Sequence, residues 1–140
     1  MTEPLIIMLI ASGVLCWMVG GTGAKWVRRF LWPAIVASVL GISGQTWGSS
    51  IMVSFFVALS ATLPYGDRTP RWLRSAVFLA VASPGLLLNL KIWPFVLIAW
   101  VLLMGAFIAS RKWNWFTHKI WEGFTGFLQA SLIVMGVLAR

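Results

Sequence analysis

Apolar stretches of roughly membrane-crossing length alternate along the chain with short clusters of glycine, proline and basic residues. The first runs from Pro4 to Val19 and stops at Gly20-Gly21-Thr22-Gly23, a glycine cluster that ends a helix and turns the chain. The second begins at Lys25 or Trp26; from Trp26 to Ile42 it has 17 residues, roughly 26 Å of helix, which just spans a bilayer core. Gly44-Gln45-Thr46-Trp47-Gly48 forms a turn, and a third helix from Ser49 to Leu63 ends at Pro64-Tyr65-Gly66-Asp67. A fourth, Leu73 to Leu90, carries Pro84-Gly85 inside it, which a membrane helix absorbs when neighbours satisfy the freed carbonyl. Asn89 and Lys91 mark the next turn, and Ile92 to Ala109 returns before Arg111-Lys112. Lys112 to Glu122 mixes Trp113, Trp115, Phe116, Ile120 and Trp121 with polar residues and reads as an interfacial amphipathic segment, after which Gly123 to Ala139 is the last apolar run. The expectation is an all-α integral membrane protein: a single helical domain over residues 1–140 with about six short transmembrane helices, the range being four to six. The range arises because residues 31–64 fit either two full crossings or a re-entrant hairpin.

Charge gives these segments a direction. Of the eleven Lys and Arg, nine fall in three clusters, Lys25/Arg28/Arg29, Arg68/Arg71/Arg74 and Arg111/Lys112/Lys119, and only Lys91 and Arg140 lie elsewhere. Loops rich in Lys and Arg stay on the cytoplasmic side, so the clusters predict both termini outside, in a bacterial inner membrane, with the nine cations at the inner headgroups. Tryptophan, which concentrates at the two membrane–water interfaces, agrees: Trp26, Trp32, Trp72, Trp113, Trp115 and Trp121 fall at inner ends, and Trp47 and Trp93 at outer ones. Glu3 precedes the first apolar run and no Lys or Arg does, which argues for a retained helix rather than a cleaved signal peptide.

Composition narrows the class further. At 60% hydrophobic and 10% charged residues, with a mean hydropathy of +0.91, the chain lies far from the norm of soluble domains. A net charge of +8 would suggest nucleic acid in a soluble protein. Here the cations sit at segment ends, so anionic lipid headgroups are the expected partner and nucleic acid is not. Beyond lipid, the expected partners are further copies of the chain or another membrane protein. The lone Cys16 has no disulfide partner, and Leu15 before it spoils a lipoprotein cleavage box, so core packing is expected.

Few residues are left to carry chemistry. No phosphate-binding loop, paired cysteines or Ser/His/carboxylate set occurs, and the only acids are Glu3, Asp67 and Glu122. A non-enzymatic protein without a cofactor or metal is expected. His118 and Glu122 are four apart and share a helix face, giving a candidate pH-sensitive pair. Ser50, Ser54, Ala58 and Thr62 recur every four residues on the third helix, a small, partly polar stripe of the kind that lets helices pack closely; the alternative is the lining of a narrow pore. Asp67, beside Arg68 and Arg71, suits a turn that screens the arginines or docks a partner.

Gly20-Gly21-Thr22 followed by Lys25, Arg28-Arg29-Phe30 and Pro33, then Pro64-Tyr65-Gly66-Asp67 with Trp72-Leu73, resembles small polytopic membrane proteins encoded by tailed phages and prophages. That resemblance implies a phage origin more than a mechanism. The leading expectation is a holin-like protein that oligomerises through small-residue stripes and permeabilises the membrane. The alternatives are an accessory or partner-binding membrane protein, for superinfection exclusion or as a complex subunit, and, less favoured, a small channel or transporter.

Overall fold

The structure is a computed structural model that describes residues 2–21, 24–62, 71–112 and 118–138. Among them are six α-helices and no strand: α1 Glu3–Gly21, α2 Trp32–Ile42, α3 Trp47–Ala61, α4 Arg71–Leu88, α5 Trp93–Lys112 and α6 His118–Leu138. A π-helical turn, Val27–Leu31, leads into α2, and a 3-10 turn, Leu90–Ile92, leads into α5. The boundaries follow the turn chemistry of the sequence. The chain reverses between α2 and α3 at Gly44, whose φ of 96° is relaxed only for glycine, and the Thr46 side chain then caps α3 by accepting the Ser49 N–H. Asn89 ends α4 in an extended conformation and accepts the Lys91 N–H with its side chain.

Pro33 explains the π turn. A proline has no N–H to continue the α-helical ladder, and the helix absorbs this just upstream, where the Trp32 N–H bonds to Val27 O, five residues back. The wider turn rotates Arg28 inward and leaves Arg29 exposed. Pro84 is absorbed differently. It leaves the Ala80 carbonyl without its usual helical donor, and the Ser83 hydroxyl bonds to that oxygen at 2.8 Å.

The helices close a cycle. α1 packs on α6, α6 on α4, α4 on α3, α3 on α2, and α2 with its π turn returns to α1. Glycine permits the tightest of these crossings. A Cβ at Gly126 would run into the Gly13 carbonyl oxygen where α1 meets α6, and one at Gly85 would lie 2.8 Å from the Leu132 carbonyl oxygen where α4 meets α6. The interior of the cycle holds Trp17, Trp32, Val36, Leu40, Val53, Val57, Val81 and Ile133. α5 lies outside it, against α4 and α6, and builds a second cluster from Phe78, Ala82, Val96, Ala99, Leu103 and Leu128.

Three expectations change in detail. One described helix, over Glu3–Gly20, is long and apolar enough to cross a membrane; Trp47–Ala61, Phe78–Leu88, Leu90–Ala106 and Glu122–Leu138 are apolar but shorter. The expected interfacial segment is not separate over its described part, because His118 to Glu122 is the first turn of α6. Trp32, expected in the inner interfacial belt, is wholly buried, because its indole N–H is held by a polar partner inside the cycle, whereas Trp26, Trp47 and Trp93 are exposed.

Candidate functional site: a polar core inside an apolar shell

Gln129 on α6 is fully buried and sits where the other four helices of the cycle converge. Its Oε1 accepts two indole N–H bonds, from Trp17 on α1 at 3.1 Å and from Trp32 on α2 at 2.8 Å. Its Nε2 donates to the Ser60 hydroxyl on α3 at 2.8 Å and to the Val81 carbonyl on α4 at 3.3 Å. An indole N–H can only donate, so the atom facing both tryptophans must be the amide oxygen, and the orientation of the amide follows from chemistry alone. One side chain thus uses two acceptor and two donor positions to join five helices. The Val81 carbonyl lies one turn before Pro84-Gly85, and Ser60 remains engaged as a donor through its own bond to Val57 O at 2.7 Å.

Toward the C-terminal end of α1 and the N-terminal end of α6, Arg28 extends this polar core. It is only 8% exposed, because the π turn carries it inward. Its Nη2 donates to the Trp17 carbonyl at 2.6 Å and lies 3.2 Å from Glu122 Oε2, while the guanidinium carbon sits 4.5 Å from the centre of the Trp17 ring. The cation therefore meets a carboxylate, a π face and the C-terminal part of α1, each of which favours positive charge. Gly20 makes the approach feasible: a Cβ there would lie 2.5 Å from Arg28 Cβ and 2.9 Å from Arg28 Nε. Trp17 links the two clusters, its ring and carbonyl on Arg28 and its N–H on Gln129.

The expected site residues are therefore redistributed. Arg28 leaves the headgroup set for the core, because Glu122 and Trp17 neutralise it there; Lys25 and Arg29 stay exposed. Glu122 forms an ion pair with Arg28 that joins the π turn to α6, while the expected pair with His118 falls on a side chain outside the described residues. Arg68 and Asp67 also lie outside them, as do the side chains of Arg71, Arg74, Arg111, Lys112 and Lys119.

The stripe on α3 divides. Ser50 is buried and bonds to Thr46 O, Ser54 reaches across to the Pro33 carbonyl of α2 at 2.5 Å, Ala58 is half-buried, and Thr62 is exposed at the helix end, bonded to Leu59 O. The buried face of α3 is instead Ser50, Val53, Val57, Ser60 and Ala61, since a strict four-residue spacing drifts around a helix of 3.6 residues per turn. Sequence reasoning missed Gln129, Trp17, Trp32 and Ser60. One signal was there to be read: an amide in the middle of an apolar helix is costly to bury unless it is bonded.

Compared with known proteins, the chain matches no family model, no curated protein and no solved structure.

Proposed function

We propose that the chain is a small multi-pass protein of the bacterial inner membrane, with six crossings and both termini periplasmic, that works by helix association and not by catalysis. The observation that carries this reading is an apolar outer surface around a core that holds a few bonded polar groups. Arg28, Ser50, Ser60, Thr125 and Gln129 are buried, while large apolar side chains face outward on every helix: Ile7 and Leu15 on α1, Ile42 on α2, Phe55 on α3, Leu79 on α4, Val101 on α5 and Leu138 on α6. Water would penalise such a shell on all sides, whereas acyl chains do not. The short helices are consistent with crossing, since helical structure from Lys25 to Ile42 is continuous over about 27 Å, and a bilayer thins or tilts its helices to meet such a mismatch.

Within this class, the packing favours a pre-assembled bundle that binds a membrane partner, as an accessory or exclusion protein does. Gly13, Gly85, Gly126, Gly136 and Ser54 all serve contacts inside the chain, which commits these small residues to the fold and not to the holin-like assembly that a phage origin would imply. Reporter fusions test the topology: those after Gln45 and Asn89 should read periplasmic, and those after Asp67 and Asn114 cytoplasmic. A cytoplasmic signal after Asn89 would overturn the six-crossing arrangement. Inducible expression in a bacterium tests the role. Steady growth and membrane potential, with a membrane protein co-purifying, supports partner binding; an abrupt collapse of the potential returns the protein to the holin-like class.

A further inference from the structure

Among the described residues, a shallow apolar groove flanks α4 on each of two sides at the outer surface of the bundle. One, between α4 and α5, is lined by Phe78, Leu79, Val96, Leu97 and Trp100. The other, between α3 and α4, is lined by Phe56, Ser83, Leu86, Leu87 and Leu90 and encloses about 280 Å³. The second differs in a way that selects an occupant. Its lone polar residue turns its hydroxyl to the Ala80 carbonyl, so the wall is effectively hydrocarbon, and its lining residue Leu90 is followed in the chain by exposed Lys91. Lys91 is also the one internal cation outside the three basic clusters.

We propose that the α3–α4 groove holds one acyl chain of an anionic phospholipid of the outer leaflet, with Lys91 on its phosphate. The site rests on the six-crossing reading, which puts Leu90 and Lys91 at the outer headgroups and Phe56 and Ser83 deeper, so the groove runs along the direction of an acyl chain. The Pro84 turn contributes by committing the Ser83 hydroxyl to the backbone. The lysine supplies the preference for a negative headgroup, and the groove holds the chain.

The test uses the full chain in nanodiscs of equal parts phosphatidylcholine and phosphatidylglycerol with identical acyl chains, extracted in mild detergent, with retained lipid counted by native mass spectrometry. The expected result is one retained phosphatidylglycerol, favoured over phosphatidylcholine by roughly fivefold, the effect of one lysine near an anionic headgroup. Lys91→Gln should remove the preference but keep the lipid, Leu87→Trp, which fills the groove from its exposed rim, should lose both, and Leu97→Trp, which fills the α4–α5 groove instead, should change neither. Equal retention of the two lipids by the wild type, a lipid loss that Leu97→Trp causes as fully as Leu87→Trp, or a dimer abolished by Leu87→Trp with no lipid bound would each overturn the site. A chain that alkaline carbonate strips from the bilayer defeats the membrane reading itself, whereas integration without lipid retention defeats only this site.

Discussion

Replacing Gln129 by Leu removes four hydrogen bonds at similar volume and with little cavity, so the loss reports on the polar core and not on packing. Ser60 keeps its bond to Val57 O, and the Val81 carbonyl remains in α4, so the donors that lose their bond to Gln129 are the indole N–H groups of Trp17 and Trp32. A buried donor that loses its bond costs about 1 to 3 kcal/mol, so the two together predict a loss of about 2 to 6 kcal/mol. Counting instead the four lost bonds at the roughly 0.6 kcal/mol average for contacts between helices in a bilayer gives about 2.4 kcal/mol, within the same range. The assay is reversible unfolding in mixed micelles as the fraction of denaturing detergent rises, followed by far-ultraviolet circular dichroism. A double-mutant design isolates the cause: with both tryptophans already changed to Phe, Gln129→Leu has no indole donors to orphan and should cost clearly less than in the wild type. A Gln129→Leu protein within about 0.5 kcal/mol of the wild type, the range of an ordinary surface substitution, would refute the view that this amide holds the cycle together.

Other positions separate the core from the surface. Arg28→Gln leaves the Glu122 carboxylate half-sheltered without its cation and should cost about 3 kcal/mol or more, while Arg29→Gln on the exposed side should be nearly neutral; Arg28→Gln combined with Glu122→Gln should recover part of the loss in the same unfolding assay. Gly126→Ala forces α1 from α6 at the Gly13 carbonyl and should lower stability by roughly 1 to 3 kcal/mol. Gly105→Ala, where an added Cβ meets nothing, should be neutral or stabilise α5 by up to about 1 kcal/mol; equal effects at the two glycines would argue against the α1–α6 crossing. Ser54→Ala removes the side-chain bond from α3 to the Pro33 carbonyl and should loosen the α2–α3 hairpin, measurable as faster amide exchange there, with a stability loss of about 1 kcal/mol.

The helices and their ends were written locally. Apolar runs bounded by Gly20-Gly21, Gly44, Asn89 and Arg111-Lys112 place α1, α3, α4 and α5 within three residues of their observed limits, because helix length and turn chemistry depend on neighbours in sequence, whereas α2 is preceded by the π turn and α6 begins at His118, five residues before the expected Gly123. Composition likewise marked the apolar shell. The polar core was different, since Trp17 and Gln129 are 112 residues apart and Trp32 and Gln129 are 97 apart, and nothing in the sequence near either tryptophan distinguishes an indole at an interface from one bonded inside a bundle. Arg28 and Arg29 show the same limit at the shortest range. Both belong to one basic cluster and look equivalent as charges, yet a π turn upstream of Pro33 sends one to Glu122 and leaves the other outside. The sequence by itself determined which segments are helical and which surfaces avoid water; only the tertiary structure decided which polar groups meet, because that depends on rotation and crossing of helices distant in the chain.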